Sequence, residues 1–340
     1  MQRKIVLLVL ASCMLMAFGL FRYTTFPVPA RWPPPAYDFS SNPLDTGKIE
    51  LGRALFYDPV LSSDSTISCS SCHSQYSGFT HVDHRLSHGI KDRIGTRNSP
   101  VLINLAWSSS FMWDGAIHHL DVQALAPIHH PDEMGETMEH VVQKLRRSTL
   151  YPGLYTHAFG DGAITGERTL KALSQFMLTL VSANARYDSV MRRQTSFTIQ
   201  EENGYRLFQQ HCASCHQEPL FTNQAFENNG LPVDTALHDQ GRYTITQNPA
   251  DLYKFKVPTL RNIEFSYPYM HDGRFKKLSE VLEHYTTGIV HGPTLAAQLQ
   301  APILLSSNEK VDLTAFLLTL SDREFLFNPQ FGYPRKIFNR

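Results

Sequence analysis

The sequence predicts a mostly α-helical chain of two tandem domains separated by long loops. Three observations predict it. The pattern Cys-x-x-Cys-His occurs twice, as Cys69-Ser70-Ser71-Cys72-His73 and as Cys212-Ala213-Ser214-Cys215-His216. A series of short motifs recurs in the same order in the two halves of the chain. Apolar residues such as Leu170, Leu173, Met177, Leu180 and Val181 fall at helical spacing, whereas strands are expected to be few and short.

The Cys-x-x-Cys-His pattern attaches c-type haem: two thiols add to the vinyl groups and the adjacent His is placed to bind iron. The competing readings are a zinc half-site and a redox dithiol. A four-ligand zinc site needs both pairs to converge and makes both His residues incidental. A thioredoxin-like site needs a βαβ context, and none is found. The expectation is therefore two tandem cytochrome c-like haem domains. Cys69, Cys72, Cys212 and Cys215 would be the attachment residues, with His73 and His216 as the proximal iron ligands.

At 340 residues the length suits about two domains. The formal net charge is zero, which argues against a nucleic-acid partner. Of five cysteines only Cys13 lies outside the haem motifs, so no disulfide framework is left over. Residues 1–25 begin with a basic Met-Gln-Arg-Lys and continue in an apolar run, 5–21, the mark of an export signal. Uncleaved membrane anchor, cleaved signal and a lipoprotein box at Cys13 remain open, and all three place the body outside the cytoplasm. Residues 26–42 are Pro-rich and read as a stiff, extended spacer.

The repeat divides the remainder into an N-terminal domain, 43–190, and a C-terminal domain, 191–340. Gly52-x-x-Leu55-Phe56 precedes the first haem motif and Gly204-x-x-Leu207-Phe208 the second. Pro100-x-Leu102-x-Asn104 matches Pro258-x-Leu260-x-Asn262, and Met112-Trp113-Asp114-Gly115 matches Met270-His271-Asp272-Gly273. Phe176-Met177-Leu178-Thr179-Leu180 matches Phe316-Leu317-Leu318-Thr319-Leu320. Thr198-x-x-Glu201 and Ser306-x-x-Glu309 are capping boxes that open helices.

The segment after Asp-Gly can descend onto the open face of each haem. At the gapless offset of 158 residues, Tyr285 of the second domain stands where the first has Pro127. Proline cannot ligate iron through its side chain, whereas tyrosine can through its phenolate. The two haems are thus expected to be unequal. Near Pro127 lie Gln123, an amide able to orient peroxide, and Glu133, a carboxylate able to move its proton. Trp113, where the second repeat has His271, is a candidate electron relay.

These residues resemble the bacterial di-haem cytochrome c peroxidase/MauG family over about residues 43–325. The motifs carrying the resemblance include Leu51-Gly52-x-x-Leu55-Phe56-x-Asp58-Pro59, Arg97-Asn98-Ser99-Pro100, Trp113-Asp114-Gly115, Glu133-Met134-Gly135 and Lys256-Val257-Pro258-Thr259-Leu260-Arg261-Asn262. The resemblance implies a peroxidatic haem at His73 with Gln123 and Glu133 as its distal catalytic pair and Trp113 between the haems. It implies that the His216 haem takes electrons from a donor. It further implies Ca2+ between the domains, held by the Asn98 side chain and the carbonyls of Ser266 and Pro268. His88 resembles a removable distal ligand of the first iron, with His81 and His84 as competitors. Ordinary family peroxidases carry Met where this chain has Tyr285.

The expected function is an exported, periplasmic peroxidase that reduces hydrogen peroxide with electrons from a small cytochrome c or cupredoxin. Tethering by the N-terminal segment and homodimer formation belong to the same expectation. The alternative is an oxidase that uses peroxide to oxidise a protein or small molecule through a bis-ferryl state, motivated by Tyr285. A pure electron-transfer cytochrome is a third reading, against which Gln123 and Glu133 argue.

Overall fold

A computed structural model describes residues 24–339. The apolar run 5–21 and Cys13 lie outside the described residues. Among the described residues, no helix is long and apolar enough to cross a membrane.

The helices that position the site are α1 (Thr46–Tyr57), α2 (Met138–Arg147), α3 (Tyr151–Phe159) and α4 (Gly166–Leu178) in the first domain. In the second they are α5 (Ile199–His211), α6 (Leu278–Glu283) and α7 (Ser307–Leu318). The predicted capping boxes open α5 and α7: Thr198 and Ser306 accept from the backbone N–H of Glu201 and Glu309, whose carboxylates reach back. The Leu170–Leu173–Met177 stripe is buried along α4.

Each domain is built on one close helix crossing, α1 on α4 and α5 on α7. The motif glycines make the crossings close. A Cβ at Gly52 would stand 1.8 Å from the Ala172 carbonyl oxygen, and one at Gly204 would stand 1.9 Å from that of Asp312. The motif phenylalanines fill the core beside them, Phe56 against Phe176 at 5.2 Å and Phe208 against Phe316 at 5.0 Å between ring centroids.

The repeated asparagines have a shared role. Asn104 and Asn262 adopt left-handed backbone, with φ of 58° and 59°, a conformation asparagine tolerates better than most residues. Each donates its N–H to the last Leu of the repeated Leu-Thr-Leu, Leu180 at 2.9 Å and Leu320 at 3.0 Å. Their Oδ1 atoms accept from the N–H groups of Ser182 and Asp322 at 2.9 and 2.7 Å. The Ser182 hydroxyl then donates to the Asp322 carboxylate at 3.1 Å, tying the two repeats together.

Among the described residues the only named strands are β1 (Phe226–Glu227) and β2 (Phe255–Lys256), a short antiparallel pair. The first domain holds the larger core, and the second has a smaller aromatic core around Phe208, Phe221 and Phe316.

Two segments depart from the sequence reading. The Pro-rich stretch 26–42 is not a free spacer. Phe26 stacks on Phe39 at 4.6 Å, Trp32 meets Trp107 edge-on at 4.8 Å, and the Trp107 indole donates to the Pro33 carbonyl at 2.7 Å. Its aromatics bury enough apolar surface to dock it. The C-terminal stretch, assigned by sequence to the second domain, packs on the first. Phe325, Leu326 and Ile337 join the first core, and the Tyr57 hydroxyl and Arg53 donate to the carbonyls of Phe331 and Gly332, both at 2.8 Å.

Candidate functional site

The two Cys-x-x-Cys-His motifs are built alike. Cys69–Cys72 forms one helical turn, and α5 delivers Cys212 at its C-terminal end. His73 Nδ1 lies 2.7 Å from the Phe79 carbonyl oxygen, and His216 Nδ1 lies 3.1 Å from the carbonyls of Phe221 and Pro258. A carbonyl can only accept, so Nδ1 carries the proton and Nε2 keeps its lone pair free. Burial pushes both imidazoles down to about 4, which keeps them neutral. All four motif thiols are free, and burial pushes Cys69 and Cys212 up to about 12. Among the described residues, no group of three or more His, Cys, Asp or Glu is set to hold a metal ion by itself, which removes convergence of the two pairs on zinc. A neutral imidazole anchored at Nδ1, beside two unbridged thiols in an apolar wall, fits a covalently attached haem.

A cavity lined by Cys212, Cys215, His216, Met270 and Tyr285 extends to Trp113 and Gln123 of the first domain. Tyr285 sits in a π-turn, His284–Gly288, that continues α6. Such widened turns re-aim side chains and recur at functional sites. Burial pushes the Tyr285 phenol up to about 12, and its environment includes the Cys212 and Cys215 thiols. The Asn229 amide donates to the Tyr285 hydroxyl at 3.4 Å and reaches the Met270 sulfur at 3.5 Å. The His284 ring, beside Tyr285, is held by the Asn229 carbonyl at 3.0 Å.

The first site is shaped by the turn 127–136. Pro127 lies in the short helix Leu125–His129, and its carbonyl accepts from the Met134 N–H at 3.2 Å. Glu133 N–H donates to the His130 carbonyl at 3.1 Å, and its own carbonyl accepts from Ile90 at 2.8 Å. Burial raises the Glu133 pKa, and burial, followed by the charge of Glu133, pushes Cys72 up to about 11. The carboxyl therefore shares the environment of the first haem motif. Gln123 instead lies toward Met112, its amide 3.7 Å from that sulfur, with no hydrogen bond to Glu133.

The His88 loop is pressed against the same turn: a Cβ at Gly89 would stand 2.1 Å from the Asp132 carbonyl oxygen. The Cys72 thiol donates to the His88 carbonyl at 3.5 Å. The His88 ring stacks on His84 at 4.1 Å, and His84 Nδ1 lies 2.7 Å from His81 Nε2. All three histidines thus form one stack beside the first site.

Between the two sites, the Trp113 indole donates to the Asn98 carbonyl at 2.8 Å. Asn98 is buried, its amide donates to the Arg85 carbonyl at 3.0 Å, and it lines the same cavity as Ser266 and Pro268. Arg97 bridges the domains, pairing with Asp114 at 2.6 Å and Asp239 at 2.7 Å.

The family model for di-haem cytochrome c peroxidase matches residues 46–196, and that for cytochrome c matches residues 201–321. The chain is 36% identical to the methylamine utilization protein MauG of Methylorubrum extorquens over 82% of this chain and 80% of that protein. It is 33% identical to the cytochrome c551 peroxidase of Nitrosomonas europaea over 86% and 84% of the two chains. The chain belongs to the di-haem cytochrome c peroxidase/MauG family. A solved MauG-like protein associated with microbial copper homeostasis superposes with a TM-score of 0.82 at 31% identity, covering 92% of this chain and 99% of that one.

As a member of this peroxidase family the chain is an oxidoreductase whose two cytochrome c-type domains carry covalently bound haem c. The comparisons include both peroxidases and MauG proteins and leave the choice between the two activities open. Sequence reasoning missed Asn229 and His284, which frame Tyr285. Neither belongs to a motif. The only sequence signal was that His284 adjoins a residue singled out by the repeat.

Proposed function

We propose that this family member is exported and reduces hydrogen peroxide to water at the His73 site, 43–190 being the peroxidatic domain and 191–340, apart from the C-terminal stretch that packs on the first core, the electron-entry domain. Electrons would enter at the His216 site from a small cytochrome c or cupredoxin. The observation that carries this reading is the half-buried Glu133, whose charge acts on the Cys69 and Cys72 thiols and whose turn, closed by the Pro127 carbonyl, packs on the His88 loop that meets Cys72. Bound haem supplies an iron that accepts peroxide and exchanges electrons with it. With haem bound, Glu133 would take a proton from one peroxide oxygen and return it to the other, which would leave as water. Two electrons and two protons complete the reduction to two waters. Gln123 orients the peroxide or the departing water, and Trp113 relays electrons between the sites. Ca2+ held by the Asn98 side chain and the carbonyls of Ser266 and Pro268 fixes the domain joint. His88, stacked on His84, would be the removable ligand of the first iron. The N-terminal segment directs export to the periplasm and either leaves or tethers the protein.

Steady-state peroxide consumption with a reduced donor tests the assignment. Glu133→Gln lowers it by about 100-fold or more, the usual scale of a positioned acid–base group. Full activity in that variant removes Glu133 from the mechanism.

Tyr285 supports a second reading, a peroxide-driven oxidase. A phenolate on the second iron favours the ferric state over the ferrous. Peroxide added without a donor then gives a long-lived oxidised spectrum that decays only when an organic substrate is supplied. Immediate return to the ferric spectrum with no oxidised product counts against it.

A further inference from the structure

Lys256 occupies an unusual electrostatic position. It lies in β2 opposite Phe226, and its backbone N–H donates to the Trp113 carbonyl at 2.7 Å. Its side chain lines the cavity that holds Cys212, Cys215 and His216, and crosses the domain joint to the Ser110 carbonyl. An ammonium has three N–H donors. The Ser110 carbonyl takes one, and among the described residues no carboxylate lies within ion-pair distance.

Arg242, stacked on Phe226 at 3.8 Å, donates to the Asp114 carbonyl, whereas three other arginines face carboxylates. Arg97 faces Asp114 and Asp239, Arg261 faces Asp188, and Arg274 faces Asp272. Burial without a counter-charge pulls Lys256 down to about 8. A charge left in an apolar wall is costly unless paired. The haem that fits this cavity brings its own anions, two propionate carboxylates.

We propose that Lys256 is the cationic partner of a propionate on the haem held at His216. The inference rests on the two-haem reading and assigns a positioning residue to it. Lys256 screens the propionate charge and so favours the ferrous state of that haem. By spanning the joint to Ser110 it also couples the seating of the second haem to the first domain.

The test uses the haem-loaded protein and its Lys256→Gln and Lys256→Arg variants. Haem absorbance per chain comes first: two haems per chain uphold the two-haem reading whatever Lys256 does. Spectroelectrochemical titration then resolves the two midpoint potentials. In Lys256→Gln the ferrous-to-ferric ratio of the His216 haem at fixed potential falls about tenfold, or ~59 mV for one electron. Lys256→Arg stays near wild type, and the His73 haem moves less. An unmoved His216 potential in Lys256→Gln, an equal fall in both variants, or a shift confined to the His73 haem overturns the proposal. If Lys256→Gln takes up no haem, the resonance Raman propionate-bending band of Lys256→Arg decides. A shifted band supports contact with the propionate, and an unchanged band overturns it.

Discussion

Asn98 and Lys256 occupy equivalent places in the two repeats, and each donates its backbone N–H across the domain joint, Asn98 to the His271 carbonyl and Lys256 to the Trp113 carbonyl, both at 2.7 Å. The two domains therefore clasp each other through the residues that flank the cavity. Trp113 is held twice, by Lys256 at its carbonyl and by Asn98 at its indole N–H. The relay role proposed for Trp113 needs fixed distances, and this clasp would supply them.

Trp113→Phe keeps the packing but loses the indole bond to Asn98. Both haems should load, while stopped-flow reduction of the His73 haem by a donor slows by about tenfold or more, the loss of a preorganised contact of roughly 1–2 kcal/mol. An unchanged rate removes Trp113 from the electron path.

The helix crossings give a stability test with a built-in control. Gly52→Ala and Gly204→Ala place a methyl group against backbone carbonyls that cannot swing aside. Overpacking of this kind costs about 1–3 kcal/mol, which exceeds the ~1 kcal/mol that Ala gains over Gly in a helix. Gly153, within α3, has open space for 4 Å around the place a methyl group would take, so Gly153→Ala should be neutral or stabilising. Thermal unfolding of the three variants checks the order.

Arg261 is fully buried and forms a two-pronged ion pair with Asp188 at 2.8 and 2.9 Å. Its guanidinium also lies 4.7 Å from the Trp32 ring of the docked N-terminal stretch. Arg261→Met leaves Asp188 buried and unpaired, at a cost of about 3–5 kcal/mol. The double variant Arg261→Met with Asp188→Leu should be more stable than the single one by denaturant unfolding.

Glu133 predicts a pH dependence. Burial raises its pKa above the ordinary carboxylate value, and the first proton transfer needs the ionised form. Peroxide turnover therefore falls as pH drops through a pKa above the usual carboxylate range. The residual turnover of Glu133→Gln lacks that limb. A wild-type profile with the same limb in both proteins contradicts the role.

Much of the site was legible because its chemistry demands contiguous residues. Covalent haem attachment requires Cys69, Cys72 and His73 in one turn, and the gapless repeat carried the argument from Pro127 to Tyr285. Gly52 and Gly204 were visible as a repeat, though their role in helix crossing emerged only with the backbones in place. Asn229 and the unpaired charge of Lys256 were not legible, since the first depends on a loop folding back onto Tyr285 within its own domain and the second on a contact with Ser110 of the other domain. The N-terminal stretch misled because its prolines suggested an extended chain while its four aromatics, Phe26, Trp32, Tyr37 and Phe39, were what decided its place. The C-terminal residues Phe325 and Leu326 carry the same apolar signal whichever core they join.

The central claim is that the two haem sites are unequal, with Tyr285 capping one and no side-chain ligand from Pro127 at the other. Electron paramagnetic resonance of the diferric protein beside Tyr285→Met tests it most directly. The account predicts two distinct ferric signals in the wild type, of which only the one belonging to the His216 haem changes in the variant. Identical spectra for the two proteins, or a change at the His73 haem instead, would contradict it.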